Sequence, residues 1–350
     1  MKTFSLILPF VLLCVSINVQ TPPIGIIDFY GLRNLTEQQA RQALQIREGD
    51  SFPESREEAQ RRLETLPNVQ QARLDGVCCE AGQSILYVGI QEKGAASFQF
   101  RAAPKGAIRL PETMVQAGEA FSDALTEGVQ KGDAGEDDSQ GHALNSYPKM
   151  RALQERFITF AAQDFQLLRA VLHESANAQQ RALAAEIIAY TANKRDVVPD
   201  LVYGMRDPDS GVRNNSMRAL AVIAGFAQQS PKQQIKVPFK PFIEMLNSIV
   251  WTDRNKSSYA LYQLTQKRNP AVLSMLREHA LPSLIEMSRW KSPGHAYRPF
   301  FLLGRTGNLS KDEIQKYWDS DNREALIETV LERVKSIRHH ATKHSERQWQ

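Results

Sequence analysis

The chain has 350 residues, 42% of them hydrophobic and 23% charged, and a net charge of only +4. That length leaves room for two domains or for one domain and an array, and the apolar content excludes wholesale disorder. So small a positive excess argues against a general nucleic-acid binder, which would carry a denser basic stripe.

Met1-Lys2 leads into a nearly all-apolar run from Phe4 to Val15. The run is shorter than the roughly 20 residues that a membrane-spanning helix needs, and it fits the core of a signal peptide over residues 1–20. Export is the expectation, with an uncleaved N-terminal anchor as the alternative. Leu13 is bulky for the position before a lipid-modified cysteine, so Cys14 is not read as a lipidation site. The remaining two cysteines, Cys78 and Cys79, make no disulfide framework. Neighbours on a strand point to opposite faces, which gives one buried thiol and one exposed or partly covered thiol. In an oxidising compartment, a vicinal or intermolecular disulfide is the alternative.

Residues 24–93 alternate in a regular order. A short strand around Ile24, Ile26 and Phe29 ends at Gly31. Thr36 is placed to cap a helix whose face carries Ala40, Ala43 and Leu44. Gly49-Asp50 closes that unit, and Ser51-Phe52-Pro53-Glu54 opens a second helix with Ala59, Leu63 and Leu66 at helical spacing. After Pro67-Asn68, residues 69–77 and 84–90 read as two strands joined across Glu80-Ala81-Gly82-Gln83.

From 94 to 148 the pattern loosens into a linker with one helix, Glu112 to Gln130, marked by Met114, Ala117, Phe121 and Leu125. The acidic run Gly132-Asp133-Ala134-Gly135-Glu136-Asp137-Asp138-Ser139-Gln140-Gly141 reads as a flexible loop. It lacks the ordered ligand spacing of a calcium site.

From 149 to 337 the chain reads as helix after helix. Leu220 has counterparts Leu261 and Leu302 at successive 41-residue steps, and Leu183 precedes it by 37. The expected units are an entry helix over 150–172, then 177–193 with 196–205, and 210–227 with 238–250. The series continues with 254–267 beside 270–289, and 295–305 beside 310–334. Breaks are expected at Asp196-Val197-Val198-Pro199, Ser230-Pro231, Asn269-Pro270 and Ser292-Pro293-Gly294. A unit recurring at such a period cannot bury both faces alone and must stack. The fold class expected is therefore mainly α, an α-solenoid behind a small α+β domain.

Two resemblances follow from these residues. The β-α-α-β-β order, with Gly31, Gly49, Leu66-Pro67-Asn68-Val69 and Gln91-Glu92 at its joints, resembles a POTRA domain. That likeness implies an exported envelope protein that binds polypeptides by adding a strand to a sheet edge. Asp207-Pro208-Asp209-Ser210-Gly211-Val212-Arg213 resembles the inter-helix turn of HEAT repeats. It implies that Val212 packs inward, that Arg213 touches the next unit, and that the array is a protein-binding scaffold. Thr252-Asp253-Arg254-Asn255-Lys256 keeps the polar turn without the Val-Arg pair, and Ser292-Pro293-Gly294-His295 keeps less.

Catalytic patterns are scarce. His173-Glu174-Ser175 lacks the second histidine of a zinc-protease helix, and no nucleophile elbow or phosphate loop is present. His340 and His344 lie at i and i+4, with His339 beside them, but no acidic or thiol partner accompanies them, and residues 338–350 read as a basic, solvated tail. No metal, cofactor or nucleic acid is expected. Partner-binding candidates are Tyr203, Arg206, Lys240, Glu244 and Asn247, placed on the second helices that would line a concave face. The expected function is an exported, non-enzymatic protein-protein scaffold of a bacterial cell envelope, with protein partners. Peripheral membrane contact through the N-terminus or the basic tail is the secondary expectation. A HEAT-like lyase or chromophore-handling enzyme and a membrane-anchored structural protein are the alternatives.

Overall fold

A computed structural model of the chain describes residues 22–347, apart from 96, 97 and 134, and apart from the side chains of 79, 338 and 340–347. The expected signal segment and the end of the basic tail lie outside the described residues. The N-terminal module consists of β1 (Ile24–Tyr30), α1 (Glu37–Leu44), α2 (Arg56–Glu64), β2 (Val69–Glu80) and β3 (Gln83–Glu92). β3 is the central strand, parallel to β1 on one side and antiparallel to β2 on the other.

Local chemistry explains the helices. The Thr36 hydroxyl accepts from the Gln39 N–H, and the Gln39 side chain accepts from the Thr36 N–H, a reciprocal cap on α1. Ser55, beyond the expected Ser51–Glu54 start, caps α2 through the Glu58 N–H. Glu92 ends β3 with its carboxylate accepting from the N–H groups of Arg33, Asn34 and Leu35, which pins the β1–α1 connection.

The sheet has two buried faces. Leu86, Val88 and Ile90 pack on Ala40, Leu44, Ala59 and Leu63 of α1 and α2. Tyr30, Ile85 and Tyr87 join the core of the helical region instead. Burial on both faces accounts for the nearly unbroken apolar run of β3, where a one-sided sheet would alternate. Cys78 is disulfide-bonded, which corrects the expectation of two free thiols.

The helical region is α3 (Glu112–Gln130), a two-residue hairpin β4 (Glu136–Asp137) with β5 (Leu144–Asn145), α4 (Pro148–Gln163), α5 (Phe165–Glu174), α6 (Ala178–Ile188), α7 (Lys194–Gly204), α8 (Ser210–Gln229), α9 (Lys240–Met245), α10 (Trp251–Leu264), α11 (Pro270–His279), α12 (Leu281–Ser288), α13 (Pro293–Thr306), α14 (Lys311–Asp319) and α15 (Arg323–Arg347). α3 has its expected bounds. The entry helix is broken at Asp164, and α7 begins behind the Asn193 cap with Pro199 inside it, where a break was expected.

Packing sets the frame of the repeat. α5 packs on α6, α7 on α8 and α9 on α10, while α6, α8, α10, α13 and α15 stack into a second layer. The expected pairs were therefore one helix out of step: α7 and α9 are first helices of their units.

A row of basic side chains marks the true register. Arg181, Arg213 and Arg254 each donate to carbonyls of the turn before their helix, from Ser175 and Ala176, from Asp207 and Pro208, and from Ser248. Arg181 holds the Asp207 carboxylate and Arg213 the Asp253 carboxylate, so each unit is tied to the next. The Arg213 contact expected from its turn is present. Arg254 supplies the same group in the next unit, although the Val-Arg order is lost. In this register the counterpart of Leu220 is Ile188, while Leu183 lies against α3 near Gly118.

The front of the chain docks along the turn edge of this array. Gly106 pairs with the Ser175 turn, donating to the Glu174 carbonyl and accepting from the Ala176 N–H. Arg101 pairs with Asp207 and lies over the Tyr203 ring, and Phe100 stacks on the Arg213 guanidinium at 4.0 Å. Tyr30 lies under Arg254 at 4.5 Å and donates to the Ile249 carbonyl at 2.7 Å. Farther along, the Tyr87 hydroxyl meets His295 Nδ1 at 2.8 Å, and its ring packs on Trp251 and Trp290. Residues 24–110 thus touch four successive turns, and the expected free tether between two separate modules is replaced by one docked body.

Candidate functional site

The stacked second helices carry a row of charged groups on the side opposite their own first helices. Glu186 on α6, Arg218 on α8 and Lys256 on α10 line a groove of about 880 Å³. α3 forms its other wall with Val115, Phe121 and Leu125. Leu125 is 41% exposed, an unusual position for a large apolar side chain facing a groove. Beyond Lys256, Arg298 on α13 lies over the Tyr259 ring at 4.4 Å, and Tyr262 and Tyr297 follow on the α10–α13 seam.

The electrostatics of this row are perturbed. Burial pushes the Lys256 ammonium down to about 8; Arg218 and Arg298 push the same way, and Glu136 and Glu186 oppose them. Burial raises the Glu186 carboxyl above its ordinary value, with Arg218 opposing. Burial also works against the Arg218 cation, but Glu136 and Glu186 outweigh it and hold its pKa up. Lys256 makes no hydrogen bond or ion pair among the described residues. Shifted groups gathered in one cleft make it the candidate functional site. The surface combines alternating charge, partly exposed aromatics and an apolar wall.

The acidic segment expected as a flexible loop is folded onto this surface. Glu136 pairs with Arg218, and Asp138 raises the Tyr259 pKa from close by, after the larger effect of burial. Ala143 accepts from the Tyr190 hydroxyl, and His142 Nδ1 meets Lys194 Nζ at 3.0 Å. These contacts span long stretches of sequence, which is why composition alone read the segment as free.

The five expected partner-binding residues lie elsewhere. Arg206, Lys240, Glu244 and Asn247 gather on a smaller groove of about 550 Å³ formed by first-helix ends with Phe98, Ile243 and Met275. Arg206 and Glu244 pair at 3.3 Å, and Asn247 bonds to the His279 carbonyl and the Ser283 hydroxyl. Tyr203 does not line it: its ring stacks on His173 at 3.9 Å and is covered by Arg101. His173 itself binds the Asp200 carboxylate, beside Arg169. The structure therefore brings four of the five together, but on first helices rather than on the stacked second layer. Sequence reasoning passed over Glu186, Arg218, Lys256 and Arg298. Counting five residues on from Arg181 and Arg213 would have found the first two, because the two arginines hold the same place in successive units.

The sheet edges are also engaged. On β2 the Ala72 and Leu74 N–H groups donate to Glu64 and Gln60 of α2. On β1, Ile24 exchanges bonds with Gly49 and Asp50, and the Ile27 carbonyl accepts from Arg41 and Lys291. Edges capped in this way offer little ladder for an added strand.

No family model matches the chain, and no curated protein sequence does. Among solved structures it is similar to computationally designed armadillo repeat proteins for modular peptide recognition, at 14% identity over 53% of this chain and 93% of that one, with a TM-score of 0.35. A designed armadillo repeat protein in complex with the peptide (KR)4 matches at 14% identity over 56% and 98%, with a TM-score of 0.34. At those scores the likeness carries no argument about ligand, and the helical-repeat architecture rests on the packing described above.

Proposed function

We propose that the protein is a non-catalytic scaffold that holds a polypeptide partner in the groove between α3 and the stacked helices α6, α8 and α10. The observation that carries this reading is the row Glu186, Arg218 and Lys256, drawn from three successive units and facing the apolar wall of Phe121 and Leu125. Both faces and much of both edges of the N-terminal sheet are already in use, so this module acts as a brace for the array. The POTRA resemblance describes its strand and helix order. Strand addition is not part of the mechanism proposed here.

Export to an oxidising compartment of a bacterial envelope belongs to the same proposal. It is supported by the apolar run from Phe4 to Val15 and by the disulfide at Cys78. Among the described residues no helix is long and apolar enough to cross a membrane. Two tests separate the parts. N-terminal sequencing of the mature protein gives a start near residue 21 if the leader is cleaved; an intact Met1-Lys2 refutes cleavage. Affinity isolation from envelope extract compares the wild type with Lys256→Glu and Leu125→Asp, using Lys240→Glu as control. A partner that all four forms retain equally would place binding outside this groove.

A further inference from the structure

The acidic arm on the second-helix surface shows what chemistry that surface accepts. It supplies Glu136 to Arg218, and the Asp138 charge acts on Tyr259, at the place where the row passes from α8 to α10. The row continues beyond it with two cations that hold no carboxylate in an ion pair among the described residues. Among the described residues Lys256 makes no hydrogen bond or ion pair, and Arg298 lies over the Tyr259 ring with no ion pair. An ammonium drawn into a groove without a bonded carboxylate is costly; Glu136 and Glu186 offset part of that cost from a distance, and an arriving carboxylate in contact recovers more. Burial first, then Arg218 and Arg298, depress the Lys256 pKa against the pull of Glu136 and Glu186, and a carboxylate in contact with it would raise it again.

We propose that the surface of Arg218, Lys256 and Arg298 takes an extended acidic segment of a partner protein, with the chain's own Glu136–Ser139 arm as its intramolecular placeholder. This rests on the scaffold reading above and adds the partner's class. Carboxylates of the partner sit on Lys256 and Arg298 and compete with Glu136 for Arg218. Apolar side chains alternating with them face Phe121 and Leu125 of α3, since an extended chain sends successive side chains to opposite sides. Glu186, beside Arg218, sets the polarity of the groove: it repels a carboxylate at the α6 end, so the acidic stretch runs from Arg218 toward α13.

The probe is a fluorescein-labelled peptide of alternating Glu and Leu, titrated into the full chain and followed by fluorescence anisotropy, with a matched Lys–Leu peptide as control. The Glu–Leu peptide is expected to bind at least tenfold more tightly, and to weaken as salt rises from low to physiological strength. Lys256→Ala and Arg298→Ala each weaken it about tenfold, as loss of one desolvated charge pair does. Glu136→Gln strengthens it several-fold by vacating Arg218. Lys256→Glu, if its circular dichroism matches the wild type, reverses the preference toward the Lys–Leu peptide. Equal binding of the two peptides, or Glu–Leu binding indifferent to Lys256 and Arg298, overturns the proposal. If neither peptide binds while Leu125→Asp still releases the natural partner, the acidic assignment fails and the scaffold reading stands. If Leu125→Asp and Lys256→Glu also leave the natural partner bound, the scaffold reading fails with it.

Discussion

Gly89 on β3 is the point at which the front module meets the helical array most closely. A Cβ built there lies 2.1 Å from the Ile249 carbonyl and 2.8 Å from the Tyr30 ring. Gly89→Val therefore cannot be absorbed without lifting the sheet off the α9–α10 turn. The lift breaks the Tyr30 bond to the Ile249 carbonyl (2.7 Å) and strains the bond from the Trp251 N–H to Asp75 (2.9 Å). Overpacking costs about 1–3 kcal/mol and the lost hydrogen bond about 1 kcal/mol, so the docked state loses about 2–4 kcal/mol. The α1–α2 face of the sheet is untouched, and the module keeps its own core. Trp251 and Trp290 pack on Tyr87 at this interface, so tryptophan fluorescence reports docking while far-ultraviolet circular dichroism reports helix content. In urea the wild type is expected to lose both signals together. Gly89→Val is expected to lose the fluorescence signal first and the helical signal later. Coincident transitions at the wild-type midpoint would refute docking as described.

Other outcomes follow from named groups. Asp253→Ala leaves the Arg213 guanidinium buried without its carboxylate and is expected to cost about 3–5 kcal/mol in urea unfolding, several times the cost of breaking the exposed Arg206–Glu244 pair. Glu92→Ala frees three backbone N–H groups of the β1–α1 connection; amide exchange at residues 33–35 should quicken by at least tenfold, with α6–α10 unaffected. Burial first, and then Lys194 for His142 and Lys256 with Arg298 for His295, hold both imidazoles down to about 4. Because the folded pKa lies below the unfolded value near 6.5, the unfolded chain binds more protons, and stability falls as pH drops from about 6.5 to about 4. His295→Gln should flatten that fall by removing one of the two groups, measured as the urea midpoint between pH 7 and pH 4.

Local signals were enough to read α3, the Thr36 cap and the 41-residue recurrence of Leu220, Leu261 and Leu302, because each lies within one helix or repeats at one position. The frame of the units was harder. α7 starts behind Asn193 with Pro199 inside, so the proline that seemed to separate two helices does not. Arg254 follows Asp253 directly; both bond to Ser248, but Asp253 holds Arg213 of the unit before and Arg254 holds Glu286 of the unit after. No local pattern reveals that division of labour. The front module looked independent because its sequence shows a complete small sheet, but Tyr30, Ile85 and Tyr87 are apolar for the sake of residues some 200 positions away. The groove was legible in principle through the step from Arg181 to Glu186 and from Arg213 to Arg218. Its occupation by Glu136 was not, since an ion pair between residues 82 apart leaves no mark on composition.

The central claim is that the groove between α3 and the second helices is where a polypeptide binds. A photo-crosslinking side chain placed at Leu125, at Lys240 and at a β2-edge position, Gln70, in the producing cell tests it directly. The account predicts a discrete covalent protein adduct from Leu125 alone, lost when Lys256→Glu is added. An adduct from Lys240 or Gln70 with none from Leu125, or a Leu125 adduct indifferent to Lys256→Glu, would contradict it.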